Sequence, residues 1–275
     1  MKLSFLKTSL ILVATSLGLS SQASAASYAA GDIFLGFRID GGTQDYLINI
    51  GQASLYKSPS ASSFTVPVGN IGADLSIVFG ANWHTNAAVH WAVVGTNTNT
   101  TSTVAGDPGR TLYSSKAEQT FGVQETAWNR GSSATQSTPA GKLMGMAGVF
   151  QTGTVTGNSS VAVIQDASVN GSYASYQPGG IAANSGGVSF NYWNPTNEGD
   201  FGAGAGLAAL DLFRMATGSS SLSGDYLGTF TITSGGVLTF NTSPVPEPAS
   251  ITLISALGLL ATRRRRSTPV PTVSR

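Results

Sequence analysis

The residues of this sequence best suited to ligand binding are its four tryptophans. An exposed indole presents a flat apolar face and one N–H donor, a combination suited to contact with sugar rings. Trp128 adjoins Asn129 and Arg130, and Trp193 stands in a Tyr-Trp-Asn-Pro stretch, so both lie in polar surroundings. Trp91 lies among apolar residues and is expected in the core. The sequence therefore predicts Trp128 and Trp193 as candidate glycan contacts, with packing in the core or in loops as the alternative.

The histidines and carboxylates indicate no catalytic centre. His84 and His90 are the only histidines, and the sequence lacks the Gly-x-Ser-x-Gly turn that exposes a nucleophilic serine. A two-histidine metal site needs a carboxylate ligand that the spacing does not identify. Of the 13 acidic residues, all but Glu247 precede the C-terminal tail, so a carboxylate pair of the glycosidase type arises by chance. We predict no catalytic residue, no metal site and a non-enzymatic protein.

Two acidic turns resemble calcium loops in composition. Residues 40–45 read Asp-Gly-Gly-Thr-Gln-Asp, and residues 197–200 read Asn-Glu-Gly-Asp. Both place carboxylates around glycine, but neither has the further oxygen ligands at the spacing of an EF-hand. A hairpin turn is the favoured interpretation of residues 40–45, and a solvated turn is the favoured interpretation of residues 197–200. No cofactor is predicted, and Ca²⁺ is the only one that these turns suggest.

Charge and cysteine content exclude several function classes. The chain has no cysteine, which excludes disulfides, thiolate nucleophiles and cysteine-ligated metal sites. The formal charge of +1 arises at the two ends, because 12 acidic and seven basic residues lie between residues 26 and 243. Binding to phosphate backbones needs clustered lysine and arginine. Nucleic acid is therefore excluded as a partner.

The chain between the two ends predicts an all-β domain. Short apolar or alternating stretches recur at residues 33–37, 46–50, 75–79, 89–94, 161–164 and 188–192. Turn residues separate most of them, so we predict a single domain over residues 26–243, a β-sandwich or jelly roll that a hairpin of residues 226–240 closes. One short helix is predicted, with Thr138 as its cap, Pro139 at its first position and an apolar face that ends at Phe150.

Residues 1–25 have the pattern of a cleavable signal peptide. Lys2 and Lys7 give a positive start, and an apolar run follows that is too short for a comfortable membrane span. Ala23 and Ala25 then satisfy the small-x-small cleavage rule. We predict export, with signal peptidase as a partner and cleavage after Ala25.

Residues 244–267 combine three features in a fixed order. The first is a proline-flanked processing signal of Val245, Pro246, Glu247 and Pro248. The second is a short apolar helix over residues 251–261, a marginal membrane span. The third is a cluster of Arg263, Arg264, Arg265 and Arg266. By the positive-inside rule the arginines and the tail of residues 268–275 stay cytoplasmic, which places the body outside the membrane.

This arrangement resembles the PEP-CTERM sorting signal of bacteria with two membranes, which implies recognition by an exosortase-type processing enzyme. The body also resembles an uncharacterised group of PEP-CTERM proteins. The stretches that carry this likeness are residues 34–38, 46–51, 78–83, 210–214 and 226–230. The resemblance spans most of the chain. It implies a shared fold and sorting route, and it brings no catalytic residues.

These patterns together predict the location of the protein more specifically than its biochemical activity. We expect an exported, non-enzymatic surface or extracellular-matrix protein that is transiently anchored in the inner membrane and then processed. Association with exopolysaccharide or biofilm is the first hypothesis. A carbohydrate-binding module is the second, and a secreted hydrolase that acts on polysaccharide is the third.

Overall fold

A computed structural model describes residues 26–181, 186–194, 196–202 and 207–243 of the protein. The predicted cleavage site at Ala23 and Ala25, the processing signal at residues 245–248 and the arginine cluster at residues 263–266 lie outside these ranges. Within them, no helix combines the length and the apolar character that crossing a membrane requires.

Eleven strands dominate the described residues, which confirms the predicted β-rich fold. The strands are β1 (Asp32–Ile39), β2 (Gln44–Gln52), β3 (Ser63–Thr65), β4 (Val89–Thr96), β5 (Leu112–Ala117), β6 (Thr154–Val155), β7 (Ala162–Asp166), β8 (Gly199–Asp200), β9 (Leu207–Met215), β10 (Asp225–Thr233) and β11 (Leu238–Asn241). The α-helices are α1 (Ser54–Lys57), α2 (Ile71–Phe79) and α3 (Ser137–Phe150). All strand pairs are antiparallel, and the predicted terminal hairpin is formed by β10 and β11.

The strands form one continuous curled sheet, whereas the sequence predicted the two sheets of a sandwich or jelly roll. Its order is β3-β11-β10-β9-β5-β4-β1-β2-β7-β6, and β8 pairs with β4. β5 pairs with both β4 and β9 and so joins the halves that a sandwich would separate. The curl brings distant strands together at Tyr56 of α1. The Tyr56 ring packs on Phe230 and Phe240, while its hydroxyl donates to the Ile50 carbonyl of β2 at 2.6 Å.

Apolar side chains cover both faces of the sheet. Strand residues alternate between the faces, so Leu35 and Trp91 enter one core with α1 and α2, while Phe34 enters the other with α3. Trp91 is fully buried, as its apolar neighbours predicted. On the second face, Leu143 and Phe150 of α3 pack toward the sheet together with Tyr173, Phe190 and Trp193.

The helices differ from the prediction in number and in one boundary. The predicted helix is present as α3, but it starts at Ser137, and Gln136 rather than Thr138 occupies its N-terminal cap position without a side-chain cap bond. Residues 75–79, expected as a strand, belong to α2 instead. Asn70 caps this helix, and Ile71, Leu75 and Phe79 repeat every four residues on its buried side.

Residues 188–192, also expected as a strand, form a tight turn. Ser189 bridges to Trp193, and Phe190 and Asn191 between them adopt positive φ angles of 53° and 55°. A strand needs extended backbone, so these two residues end any strand here. The turn buries Phe190 and directs the chain to Trp193.

Helix α2 approaches the β10–β11 turn so closely that only glycine fits at position 72. A β-carbon at Gly72 would lie 2.3 Å from the Gly235 carbonyl oxygen, a backbone atom that cannot rotate away. We expect Gly72→Ala to destabilise the domain by about 1–3 kcal/mol through overpacking. Gly141→Ala in α3 is the matched control, because nothing lies within 4 Å of its β-carbon position. The control should gain about 0.5–1 kcal/mol. Urea unfolding measures both, and equal effects would contradict the expectation.

Candidate functional site

One surface pocket brings Trp128 and Trp193 together, although they lie far apart in the sequence. Its volume is about 330 Å³. The lining residues are Trp128, Asn129, Arg130, Gly131, Thr135, Tyr192, Trp193, Asn194 and Ser220. Aromatic rings, side-chain amides, hydroxyls and one guanidinium therefore meet in one concavity, a composition that suits a polyhydroxylated ligand.

Trp128 is held in place from three directions. Its indole Nε1 donates to the Ser115 carbonyl at the end of β5 at 3.0 Å, and its own carbonyl accepts from the Gly224 amide at 2.7 Å. The Lys116 Nζ lies 5.1 Å from the centre of its ring. The half-buried ring is thus fixed in orientation and needs no reordering to meet a ligand.

Trp193 forms a wall of the pocket rather than an open platform. Its exposed fraction is only 1%, and its ring meets Phe190 and Tyr192 edge-on at centroid distances of 5.7 and 5.5 Å. Its indole Nε1 is buried and has no hydrogen-bond partner among the described residues. A buried unpaired donor is costly unless water or a ligand oxygen satisfies it. Among the aromatic residues that line the pocket, Trp128 and Tyr192 are half-buried and so expose ring surface.

Arg130 ends a chain of ion pairs beside the pocket. Its Nη2 lies 2.7 Å from Asp225, which also accepts from Arg214 at 2.6 Å. Arg214 Nε in turn donates at 2.7 Å to the buried Asp107, whose second oxygen accepts from Lys57 at 2.7 Å. Burial alone would raise the pKa of Asp107, but the bonds from these partners and from a tyrosine hydroxyl hold it below its usual value.

A second polar cluster lies between the sheet and the loops on the α3 side. Arg38 of β1 donates to both Glu198 oxygens, at 2.8 Å from Nε and 2.7 Å from Nη2, and the Tyr173 hydroxyl donates to Glu198 at 2.8 Å. Burial opposes the charge of Arg38, but the bonds to Glu198 raise its pKa above the usual value. Tyr173 reaches this position because Gly36 of β1 leaves room for its ring, where a β-carbon would lie 2.6 Å away.

The acidic turns that resembled calcium loops have other partners. Asp40 accepts from Arg38 at 2.8 Å and lies 3.2 Å from His90 Nε2, whereas the buried Asp45 accepts from the Ala174 amide at 2.7 Å. Glu198 accepts hydrogen bonds from Arg38 instead. In the described ranges, no group of three histidine or acidic side chains has a geometry that could hold a metal ion. No serine hydroxyl there hydrogen-bonds His90.

One carboxyl pair has a raised pKa. Burial and the charge of the neighbouring Asp211 raise the pKa of Glu118 to about 7, and burial also raises the pKa of Asp211. The carboxylates of Glu118 and Asp211 accept from the amides of Gly122 and Glu125 and so anchor the loop before Trp128.

A larger pocket of about 590 Å³ lies at the sheet end formed by β2 and β7. The described residues of its walls carry hydroxyls and amides, for example from Thr43, Gln44 and Ser168, and include no aromatic ring. It offers no stacking surface, so the pocket at Trp128 is the better candidate for sugar binding. Comparison with protein-family models, with curated proteins and with solved structures finds no match to this chain.

Proposed function

We propose that the protein is an exported, non-enzymatic component of the cell surface or extracellular matrix that binds exopolysaccharide through the pocket at Trp128. Export and release follow from the two end segments, which carry the signal-peptide and PEP-CTERM-like patterns. The body would be held outside the inner membrane until an exosortase-type enzyme processes the tail. Biofilm association is the setting that this route and ligand imply.

The observation that carries the binding role is the convergence of Trp128 and Trp193 in one pocket. Sequence context alone selected these two tryptophans, and the fold places them with Tyr192 and two asparagines. Fixed aromatic rings provide contact area at low entropic cost, and the side-chain amides of the lining can bind ligand hydroxyls. These groups recognise a sugar without any catalytic residue.

Trp128→Ala should reduce glycan binding by about 5- to 150-fold, because stacking of a flat ligand ring on an aromatic side chain contributes about 1–3 kcal/mol. Binding of the full-length chain, kept in a non-ionic detergent, is measured against exopolysaccharide from its own source and a glycan panel, with and without Ca²⁺. Trp128→Phe should retain part of the affinity because it keeps a ring. Trp193→Ala is unsuitable, since it removes a buried ring from the core.

Val123→Ala is the matched control for this experiment. Val123 lies in the loop before Trp128 and is 56% exposed, so its removal reduces apolar surface without changing the pocket. Binding should be unaffected by this change. Full binding by Trp128→Ala, or no binding of any glycan by the folded wild type, would rule out the proposed role and favour a structural or protein-contacting one.

A further inference from the structure

Positive charge is in excess beside the pocket, although the body as a whole is acidic. The ion-pair chain described above contains three cations, Lys57, Arg214 and Arg130, but only two carboxylates, Asp107 and Asp225. Asp107 is buried and already pairs with Lys57 and Arg214, and Asp225 is shared between two arginines. The ion-pair chain therefore carries one positive charge in excess, and at one of its two ends Arg130 lines the pocket.

The Arg130 guanidinium has unused N–H donors in that position. Its Nε donates to the Ser223 carbonyl at 2.8 Å and its Nη2 to Asp225 at 2.7 Å. Within the described part of the chain, no hydrogen bond involves its Nη1. The side chain is 23% exposed and lines the pocket, so it is partly accessible to a ligand there. A planar guanidinium held in this way is well suited to a carboxylate, which accepts from two of its N–H groups.

We propose that the pocket takes a uronic-acid unit of an anionic polysaccharide, with the sugar carboxylate on Arg130 and the ring on Trp128. The inference rests on the proposed function and names the class of its ligand. The body does not attract a polyanion non-specifically, because it has 12 acidic against seven basic residues. The arginines of residues 263–266 are the same in the wild type and in every variant, so they cannot explain a difference between them. Preference for an acidic polymer must then come from a local contact, and Arg130 is the cation placed to make it.

Polygalacturonate and its carboxyl-reduced, neutral form are the two probes, with dextran sulfate as a third polymer. The full-length chain in non-ionic detergent should bind polygalacturonate at least about tenfold more tightly than the reduced polymer, as expected for a charge-assisted bidentate contact. Arg130→Gln should abolish that difference and leave binding of the reduced polymer within about twofold. Arg130→Lys should restore only part of it, since lysine keeps the charge but loses the planar fork.

Lys142→Gln is the matched control, because it removes one positive charge from α3, outside the pocket lining. It should leave the preference for polygalacturonate unchanged. Equal affinity of the wild type for both galacturonate polymers would overturn this inference and leave the proposed function intact. Equally tight binding of dextran sulfate would overturn it as well, because general anion attraction would then explain the preference. Failure of the wild type to bind either galacturonate polymer would also overturn the inference, and the proposed function would then depend on the test with exopolysaccharide and the glycan panel.

Discussion

Replacing Glu198 with alanine should lower the free energy of unfolding by about 3–5 kcal/mol. The side chains of Glu198 and Arg38 are only 1% and 5% exposed, and they share a two-bond contact deep against the sheet. Removal of the carboxylate leaves the buried guanidinium with only the exposed Asp40 and the Pro178 carbonyl as partners, and it also deprives the Tyr173 hydroxyl of its acceptor. Urea unfolding followed by tryptophan fluorescence measures the loss.

Asp40→Ala provides the internal control, because Asp40 binds the same arginine at a similar distance but its side chain is 57% exposed. Its removal should cost less than about 1 kcal/mol. The double replacement Arg38→Met with Glu198→Leu should recover most of the stability, since it removes the stranded charge along with its partner. A small loss in Glu198→Ala, comparable to that in Asp40→Ala, would show that water reaches the pair.

Local signals in the sequence were sufficient to predict the elements that are stabilised mainly by local interactions. The β10–β11 hairpin has alternating residues around a glycine turn, and α3 has a repeating apolar face, so both were predicted at nearly their observed places. The prediction of a strand at residues 75–79 was wrong, because the pattern Leu-Ser-Ile-Val-Phe fits a strand and a helix equally well. The decision depends on contacts with β2 and the β10–β11 turn, for example the Tyr46 hydroxyl on Asp74 and Gly72 against Gly235.

Local sequence signals also predicted part of the candidate pocket but not the Arg38–Glu198 pair. Trp128 and Trp193 were selected by their polar neighbours, and the fold placed both at one pocket. The burial of Trp193 could not be predicted, because it follows from a turn in which Phe190 and Asn191 take positive φ. No sequence signal connected Arg38 with Glu198, since their contact depends on the curl of the sheet and on the loop before β8.

Asp45 makes the stability of the fold depend on pH. The side chain is fully buried in β2, and that burial raises its pKa to about 7 despite bonds from backbone amides. In the unfolded chain its pKa is about 3.9. The folded state therefore binds a proton more tightly than the unfolded state, so its contribution is fully present below about pH 4. It is lost as the pH rises toward about 7, by an amount on the order of 4 kcal/mol. The pair of Glu118 and Asp211 acts in the same direction.

Asp45→Asn should remove most of this dependence, because an amide cannot ionise and its oxygen can still accept from the Ala174 amide. The measurement is the free energy of unfolding at about pH 4.5 and about pH 8 for wild type and variant. Wild type should lose stability over this interval, and Asp45→Asn should lose much less. Asp166→Asn, at the exposed end of β7, should keep most of the wild-type slope, since hydrogen bonds from Ser168 lower the pKa of Asp166. An unchanged slope in Asp45→Asn would show that Asp45 is already ionised in the fold, and that the amides of the loop at Ala174 outweigh its burial.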